Sequence, residues 1–398
     1  MEFQLRVGVD VGCRKHRVGI ADPDGSILEE FDISHSEAGF QEFFRRVEQR
    51  KSELGFPVAV AMEGYNGYAR PLDRLVQEKG YRLFNVNNLK LARFKEVFPG
   101  AAKTDPIDAR KILELFHLRE QLPMAKDVLQ EVLPAPEVNE KLKRISRRRR
   151  QLVTEKLRVL NRLQADLQAV SPELLAATHD ADNLWFLRFL SFRDDLRQLA
   201  RLRRATIRQI PSVGAKYAQI IEEWQTKATF SDEVEYVGPM IVEDARRILE
   251  LHRQIATLDE TLATLSEQSE VAQRLATIPG FGKTSIAELA GEIGTLSRFP
   301  GEASLALYVG MSPLTVQSGQ SLRARAPRQV NTRCRAAMMT AVARHIGCVP
   351  ESRAYYERKR AQGKSHNQAV RALGRHMVRV IWAMLRDGRD YEPRGDAA

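Results

Sequence analysis

LRVGVDVG (5–12) is an apolar, valine-rich run that ends on an acid, Asp10. PVAVAMEG (57–64) repeats the plan and ends on Glu63. Val-rich runs of this length bounded by glycine read as buried strands. KTDPIDAR (103–110) then places Asp105 and Asp108 three residues apart, and Asp105-Pro106 is a helix start with an N-cap acid and a proline at the first helical position. Residues i and i+3 share one face of a helix. Two strand ends and one helix face can therefore gather four carboxylates. Such a cluster repels itself unless a cation is present. Mg²⁺ takes oxygen ligands, and Mn²⁺ accepts the same set. A pair of such ions can clamp the attacking and leaving oxygens of a phosphodiester.

Outward from these runs, residues 4–33 alternate as three strands, with DPDG (22–25) as the turn of a hairpin. A helix is expected over 36–54, with Phe40, Phe43, Phe44 and Val47 on one face. A strand over 57–62, a helix near 67–79, a strand over 81–86 and a helix over 105–118 follow. Strand, strand, strand, helix, strand, helix, strand, helix, with acids on the first and fourth strands, is the pattern of an α/β, ribonuclease-H-type domain. GVDVG also resembles the first phosphate loop of actin-like ATPases, but no second Asp-Gly phosphate loop follows a later strand.

The chain has 398 residues, enough for two or three domains, and 43% hydrophobic residues, enough for real cores. Its apolar runs are too short and interrupted for a membrane-spanning helix, and its N-terminal segment does not read as a signal peptide. Cys13, Cys334 and Cys348 show no CxxC spacing, which argues against zinc or a disulfide framework and for a reducing, cytoplasmic setting. A net charge of +11 suggests a polyanionic partner.

Residues 138–168 read as a basic helix containing KLKRISRRRR (141–150), with Leu142, Ile145, Leu152, Val159 and Leu163 near heptad spacing. A second long helix is expected from about Asp244, where Ile248, Leu251, Ile255, Leu258, Leu262 and Leu265 form a heptad seam. The two suggest an antiparallel helical hairpin, or a coiled-coil arm that pairs subunits. Arg144, Arg147 and Arg148 are candidate nucleic-acid contacts, set against a plain solvated face. RQIPSVGAKYAQII (208–221) echoes ATIPGFGKTSIAEL (276–289). Ile-Pro-x-x-Gly before a helix is the turn of a helix-hairpin-helix, whose backbone N–H groups can meet a phosphate. Gly280, Gly282 and Lys283 make the second copy the stronger candidate, against a turn used only for packing.

In LALYVGMSPLTVQSGQSLRARAPRQVNTRCRAAM (305–338), Ser318 lies in a Gln-Ser-Gly turn, with Arg323, Arg325, Arg328, Arg333 and Arg335 after it. Such a serine is usually a turn residue. A serine that attacks a phosphodiester needs arginines or metal to hold the developing charge. No histidine stands in a triad-like context, so Ser/His ester hydrolysis is unsupported.

These motifs together resemble the DEDD transposases of the insertion sequence 110 family, RNA-guided recombinases, over nearly the whole chain. GVDVG, AMEG and KTDPIDAR match the family's RuvC-like domain, and IPGFGKTSI (278–286) with SLALYVGMSPLTVQSG (304–319) matches its transposase domain. One departure is PRQVNTRCR (327–335), where the family often has a Lys-Gly step. The resemblance implies a RuvC-like domain over 1–125, a helical, coiled-coil region over 126–272 and a mostly helical transposase domain over 273–398. It implies Asp10, Glu63, Asp105 and Asp108 as the Mg²⁺ tetrad and Ser318 as a nucleophile that joins DNA covalently. Lys103, Arg110, Arg323, Arg325 and Arg328 would join the nucleic-acid contacts. Expected partners are donor and target DNA, a noncoding bridge RNA, and further copies of the chain, up to a tetramer, whose active sites combine the two domain types from different subunits. The setting would be the prokaryotic cytoplasm, on the nucleoid when DNA is bound. The alternative is a RuvC-like, structure-selective endonuclease that uses metal-activated water.

Overall fold

The computed structural model describes residues 3–63, 70–86, 105–122, 128–312, 314–318, 321–325 and 330–393, with side chains at all of these except 105–108, 314–318 and 321–325. It divides into two compact units, Met1–Pro134 and Ala135–Ala398.

The first unit is built on a six-stranded sheet in the order β3-β2-β1-β4-β5-β6. Its strands are β1 (Leu5–Val11), β2 (Lys15–Ala21), β3 (Ile27–Ser34), β4 (Val58–Met62), β5 (Arg82–Val86) and β6 (Leu129–Glu131). β1 pairs antiparallel with β2 and parallel with β4. β2–β3 and β5–β6 are antiparallel, and β4–β5 is parallel. This order is compatible with the ribonuclease-H-type fold expected. The short sixth strand carries too few residues to show a period. It extends the unit to Pro134, because Leu129 is buried against β5, so a boundary at 125 falls inside this unit.

Alternation along β1 and β4 sends alternate residues to opposite faces. Val7, Val9, Val60 and Met62 pack with Phe40, Phe43 and Val47 of α1 (Glu37–Leu54), and with Leu72 and Val76 of α2 (Leu72–Glu78). Ala59 and Ala61 face the other way, against Ile112, Leu115 and Phe116 of α3 (Asp105–Gln121). Gly8 on β1 lets α3 lie close, since a Cβ there would stand 2.9 Å from the Ala109 carbonyl oxygen.

Among the described residues the second unit is helical apart from one hairpin, β7 (Leu314–Ser318) with β8 (Ser321–Arg325). Two long helices, α4 (Glu137–Val170) and α10 (Val234–Gln268), run antiparallel. Their cross-links show the direction: Asn139 with Ser269, Arg149 with Asp259, and Arg162 with Asp244. The heptad seam thus closes against α4 of the same chain, burying Ile248, Leu251 and Leu262. α10 begins ten residues before the Asp244 expected, and Pro239 lies inside it. A proline so near the start removes a single helix hydrogen bond.

At one end of this pair, five short helices close a core around Phe186, Phe189 and Trp224: α5 (Pro172–Ala176), α6 (Leu184–Leu190), α7 (Leu196–Leu199), α8 (Arg204–Gln209) and α9 (Ala215–Gln225). At the other end, Leu142 and Leu262 join a core made by α11 (Glu270–Ala276), α12 (Lys283–Ile293), α13 (Glu302–Tyr308), α14 (Thr332–Cys348), α15 (Pro350–Ala361) and α16 (His366–Asp387). Both long helices serve both cores, so a boundary at 272/273 falls inside one compact unit. Among the described residues no helix is long and apolar enough to cross a membrane.

Candidate nucleic-acid-processing site

Asp10 is two residues past Gly8 on β1, and Glu63 two residues past Ala61 on β4. Gly8 and Ala61 are register partners across the parallel pair, and the Glu63 N–H donates to the Val9 carbonyl at 3.3 Å. Two-residue steps keep the face, so both carboxylates belong to the α3 side of the sheet, at the same strand ends. Both are half-buried.

The helix arrives at that end. Arg6 donates to Glu120 at 2.8 Å, while Gly8 lies under Ala109, Ile112 and Leu113, so α3 runs antiparallel to β1. From Gly8 to Asp10 the strand advances ~7 Å, and from Ala109 back to Asp105 the helix retreats ~6 Å. The helix backbone therefore comes level with Asp10 at Asp105, with Asp108 nearer the level of Gly8; the two side chains fall outside those described. Among the described residues no group of three or more His, Cys, Asp or Glu side chains stands ready as a metal site, and Asp105 and Asp108 are not part of that set. Asp10 and Glu63 carry carboxylates, the donor type that a hard divalent cation takes.

Arg17 belongs to none of the sequence motifs. It faces Asp10 across the β1–β2 register and lies opposite Asp32 of β3, to which it donates at 3.1 Å. Its place two residues before Gly19 in the alternating KHRVG run was the available signal. Arg110 is exposed and holds Glu30 through two hydrogen bonds of 2.9 and 2.5 Å. This Arg110 hydrogen bond holds the Glu30 carboxyl below its ordinary range. Lys103 lies outside the described residues.

In the second unit Ser318 ends β7, and its register partner is Ser321 of β8. The serine thus sits beside a two-residue connection, Gly319 and Gln320, outside the described residues. Arg323 and Arg325 lie on β8, described in backbone only, and Arg328 is not described.

The two Ile-Pro-x-x-Gly copies fold alike. Ser212 and Gly280 both take positive φ, 70° and 82°, and α9 and α12 start at the same step after them. In the second copy the turn is filled from behind: a Cβ on Gly280 would meet the His345 backbone at 2.7 Å, and His345 Nδ1 lies 2.7 Å from the Pro279 carbonyl oxygen. Gly280 therefore has a packing reason to be glycine. A Cβ on Gly282 would stand 2.7 Å from an Arg344 guanidinium nitrogen, and Lys283 is exposed. In the basic run, Arg144 and Arg148 are exposed. Arg147, Arg149 and Arg150 are held by Glu292, Asp259 and Glu288.

A family model described as a transposase, of the DEDD IS110 type, matches residues 7–172. A second, described as a transposase of the IS116/IS110/IS902 family, matches residues 272–357. Together they span more than half of the sequence. The chain belongs to the IS110 family of transposases. It is thus an enzyme of DNA transposition and recombination, with DNA as its partner. An insertion element IS110 protein of 43.6 kDa from Streptomyces coelicolor is 27% identical, over 98% of this chain and 95% of the relative. An insertion element IS900 protein of 42 kDa from Mycobacterium paratuberculosis is 26% identical, over 97% and 96%. A pilin gene-inverting protein of Moraxella bovis is 29% identical over 44% of this chain and 55% of its own length. The first family model takes in the transposase's sheet and α4, and the second takes in both flanks of the Ser318 hairpin.

Proposed function

We propose that this transposase cuts and rejoins DNA through a covalent phosphoserine, with Ser318 as nucleophile and Asp10, Glu63, Asp105 and Asp108 as the residues that hold Mg²⁺. The observation that carries the reading is the convergence of Asp10, Glu63 and the start of α3 at one end of one sheet face. Mg²⁺, when bound, supplies a positive centre for the charge that develops on the phosphate oxygens. The Ser318 hydroxyl loses its proton and its Oγ bonds to phosphorus. One P–O bond to a neighbouring sugar breaks, and that sugar oxygen takes up a proton. The reverse attack by a sugar hydroxyl of another strand frees the serine and joins the new strand without hydrolysis. Arg323, Arg325 and Arg328 are assigned to the scissile phosphate, through charge-assisted hydrogen bonds. The two halves would come from different subunits, as the family resemblance implies.

Sequence choice is assigned to a noncoding bridge RNA paired with donor and target DNA, with the protein reading backbone and shape. Exposed Arg144 and Arg148 suit backbone contact. Sequencing the RNA that copurifies with the protein tests this part. One discrete species from the element's flanks is expected, and random cellular RNA would contradict it.

Cleavage assays with Asp10→Asn and Ser318→Ala on an element-end DNA test the chemistry. Both variants should abolish cutting, and the unaltered protein should stay attached to DNA after denaturation. A Ser318→Ala protein that still cuts would leave the metal-activated-water endonuclease as the correct reading.

A further inference from the structure

A buried polar cluster outside the proposed chemistry joins the two feet of the hairpin that bears Ser318. The chain leaves α13 at Tyr308 and returns to α14 at Asn331, and the Asn331 N–H donates to the Tyr308 carbonyl at 3.0 Å. The Asn331 side chain caps α14, its Oδ1 accepting from the N–H groups of Arg333 and Cys334 at 3.1 and 3.0 Å. Its Nδ2 donates to Tyr308 Oη at 2.7 Å and to Glu292 Oε2 at 2.6 Å. Tyr308 Oη donates in turn to the Glu292 carbonyl at 2.9 Å. The Glu292 carboxylate, 1% exposed, takes two hydrogen bonds from Arg147 of α4, at 2.7 and 2.9 Å.

Apolar residues could close α12 onto α4 at least as well, because a buried ion pair is a weak source of stability. Close packing exists already, since a Cβ on Gly291 would stand 2.4 Å from the Lys143 nitrogen. What the carboxylate adds is direction: it fixes the Asn331 amide, and through it both hairpin feet. Its neighbour Glu288, one turn back, pairs with Arg150 instead. Burial pushes the Glu292 carboxyl up, but the Arg147 guanidinium and the Asn331 amide outweigh it and hold the group below its ordinary range.

We infer that Glu292, Asn331 and Tyr308, anchored by Arg147, form a clamp that positions the Ser318 hairpin for strand cleavage. The inference rests on Ser318 as the nucleophile. Asn331 is the informative site, because asparagine and aspartate cap helices equally well but the amide donates to Glu292 and an ionised carboxylate cannot. Asn331→Asp therefore keeps the cap and sets two carboxylates face to face. Adding Glu292→Gln restores a donor opposite the acceptor, at the loss of the Arg147 hydrogen bond to Oε2, while the Oε1 acceptor for Arg147 stays.

Hydrogen exchange of the full chain, read over 314–325, should quicken about tenfold in Asn331→Asp and return part of the way in the double variant, as coupled neighbours do. Glu288→Gln should leave the hairpin unchanged. Covalent DNA attachment should fall and recover in the same order, with DNA affinity unaltered. Unchanged hairpin exchange in Asn331→Asp, or a double variant no better than the single, would overturn the clamp. Loss of DNA affinity in step with attachment would overturn its positioning role. A Ser318→Ala protein that still becomes attached would instead overturn the serine assignment, while the exchange data judge the clamp independently.

Discussion

Asp10 and Glu63 are brought together by two residues that carry no chemistry, Gly8 and Ala61, whose register sets both acids on the α3 face. If those acids hold a cation, Mg²⁺ should raise the melting temperature of the unaltered protein and do so less for Asp10→Asn. Equal shifts in a titration followed by calorimetry would remove Asp10 from the metal site. On the opposite face, His16 is fully buried, with Nε2 2.8 Å from His35 Nδ1. Burial, with help from His35, depresses its pKa from 6.5 to about 4. The unfolded chain then binds more protons than the folded one between those values, so this group's stabilisation is present above pH 6.5 and is lost as pH falls towards 4. Urea melts across that window should show a shallower decline for His16→Phe than for the unaltered protein. At this scale the acids were legible because an acid at the end of a valine run is conspicuous. Arg17, Glu292 and Asn331 were not, because charged and amide side chains in polar company look like solvated surface until their partners are known.

Elements were legible where the period was long. α1 was expected over 36–54 and spans Glu37–Leu54, because its Phe40, Phe43 and Val47 face is clear and Ser36 caps it. α3 was readable from Asp105-Pro106. Its seating on glycine was not, since Gly8 in a strand is visible in sequence but its neighbour is not. Gly8→Ala should force the sheet from the Ala109 carbonyl and destabilise the first unit by about 1–3 kcal/mol, measurable by denaturant unfolding. An unchanged midpoint would show that α3 is free to shift. The repeat in the helical unit was visible from its Ile-Pro-x-x-Gly pattern, and Ser212 holds in the first copy the conformation that Gly280 holds in the second. Which face of the turn is covered, by His345 and Arg344 in the second copy, depends on a helix some sixty residues away.

At the scale of the whole molecule, the basic balance divides into two kinds of arginine. Arg147, Arg149 and Arg150 tie α4 to α12 and α10, and Arg144 and Arg148 are exposed. Arg144→Ser and Arg148→Ser should each lower the salt slope of DNA binding by about 0.9 if they meet phosphates of duplex DNA. Arg149→Ser should lower the melting temperature instead, with the slope unaltered. Binding isotherms at several salt concentrations separate the two, and equal slopes throughout would make the outer pair a solvated face. The heptad seam of α10 was legible as a seam, but not its partner, because a pattern of apolar residues does not say whether the matching helix is in the same chain.

The most direct measurement is to trap the transposase on its DNA, digest both, and identify the nucleotide-bearing peptide by mass spectrometry. A covalent phosphoserine mechanism predicts a single adduct on Ser318, absent from Asp10→Asn protein. An adduct on another residue, or one that forms equally well without Asp10, would contradict it.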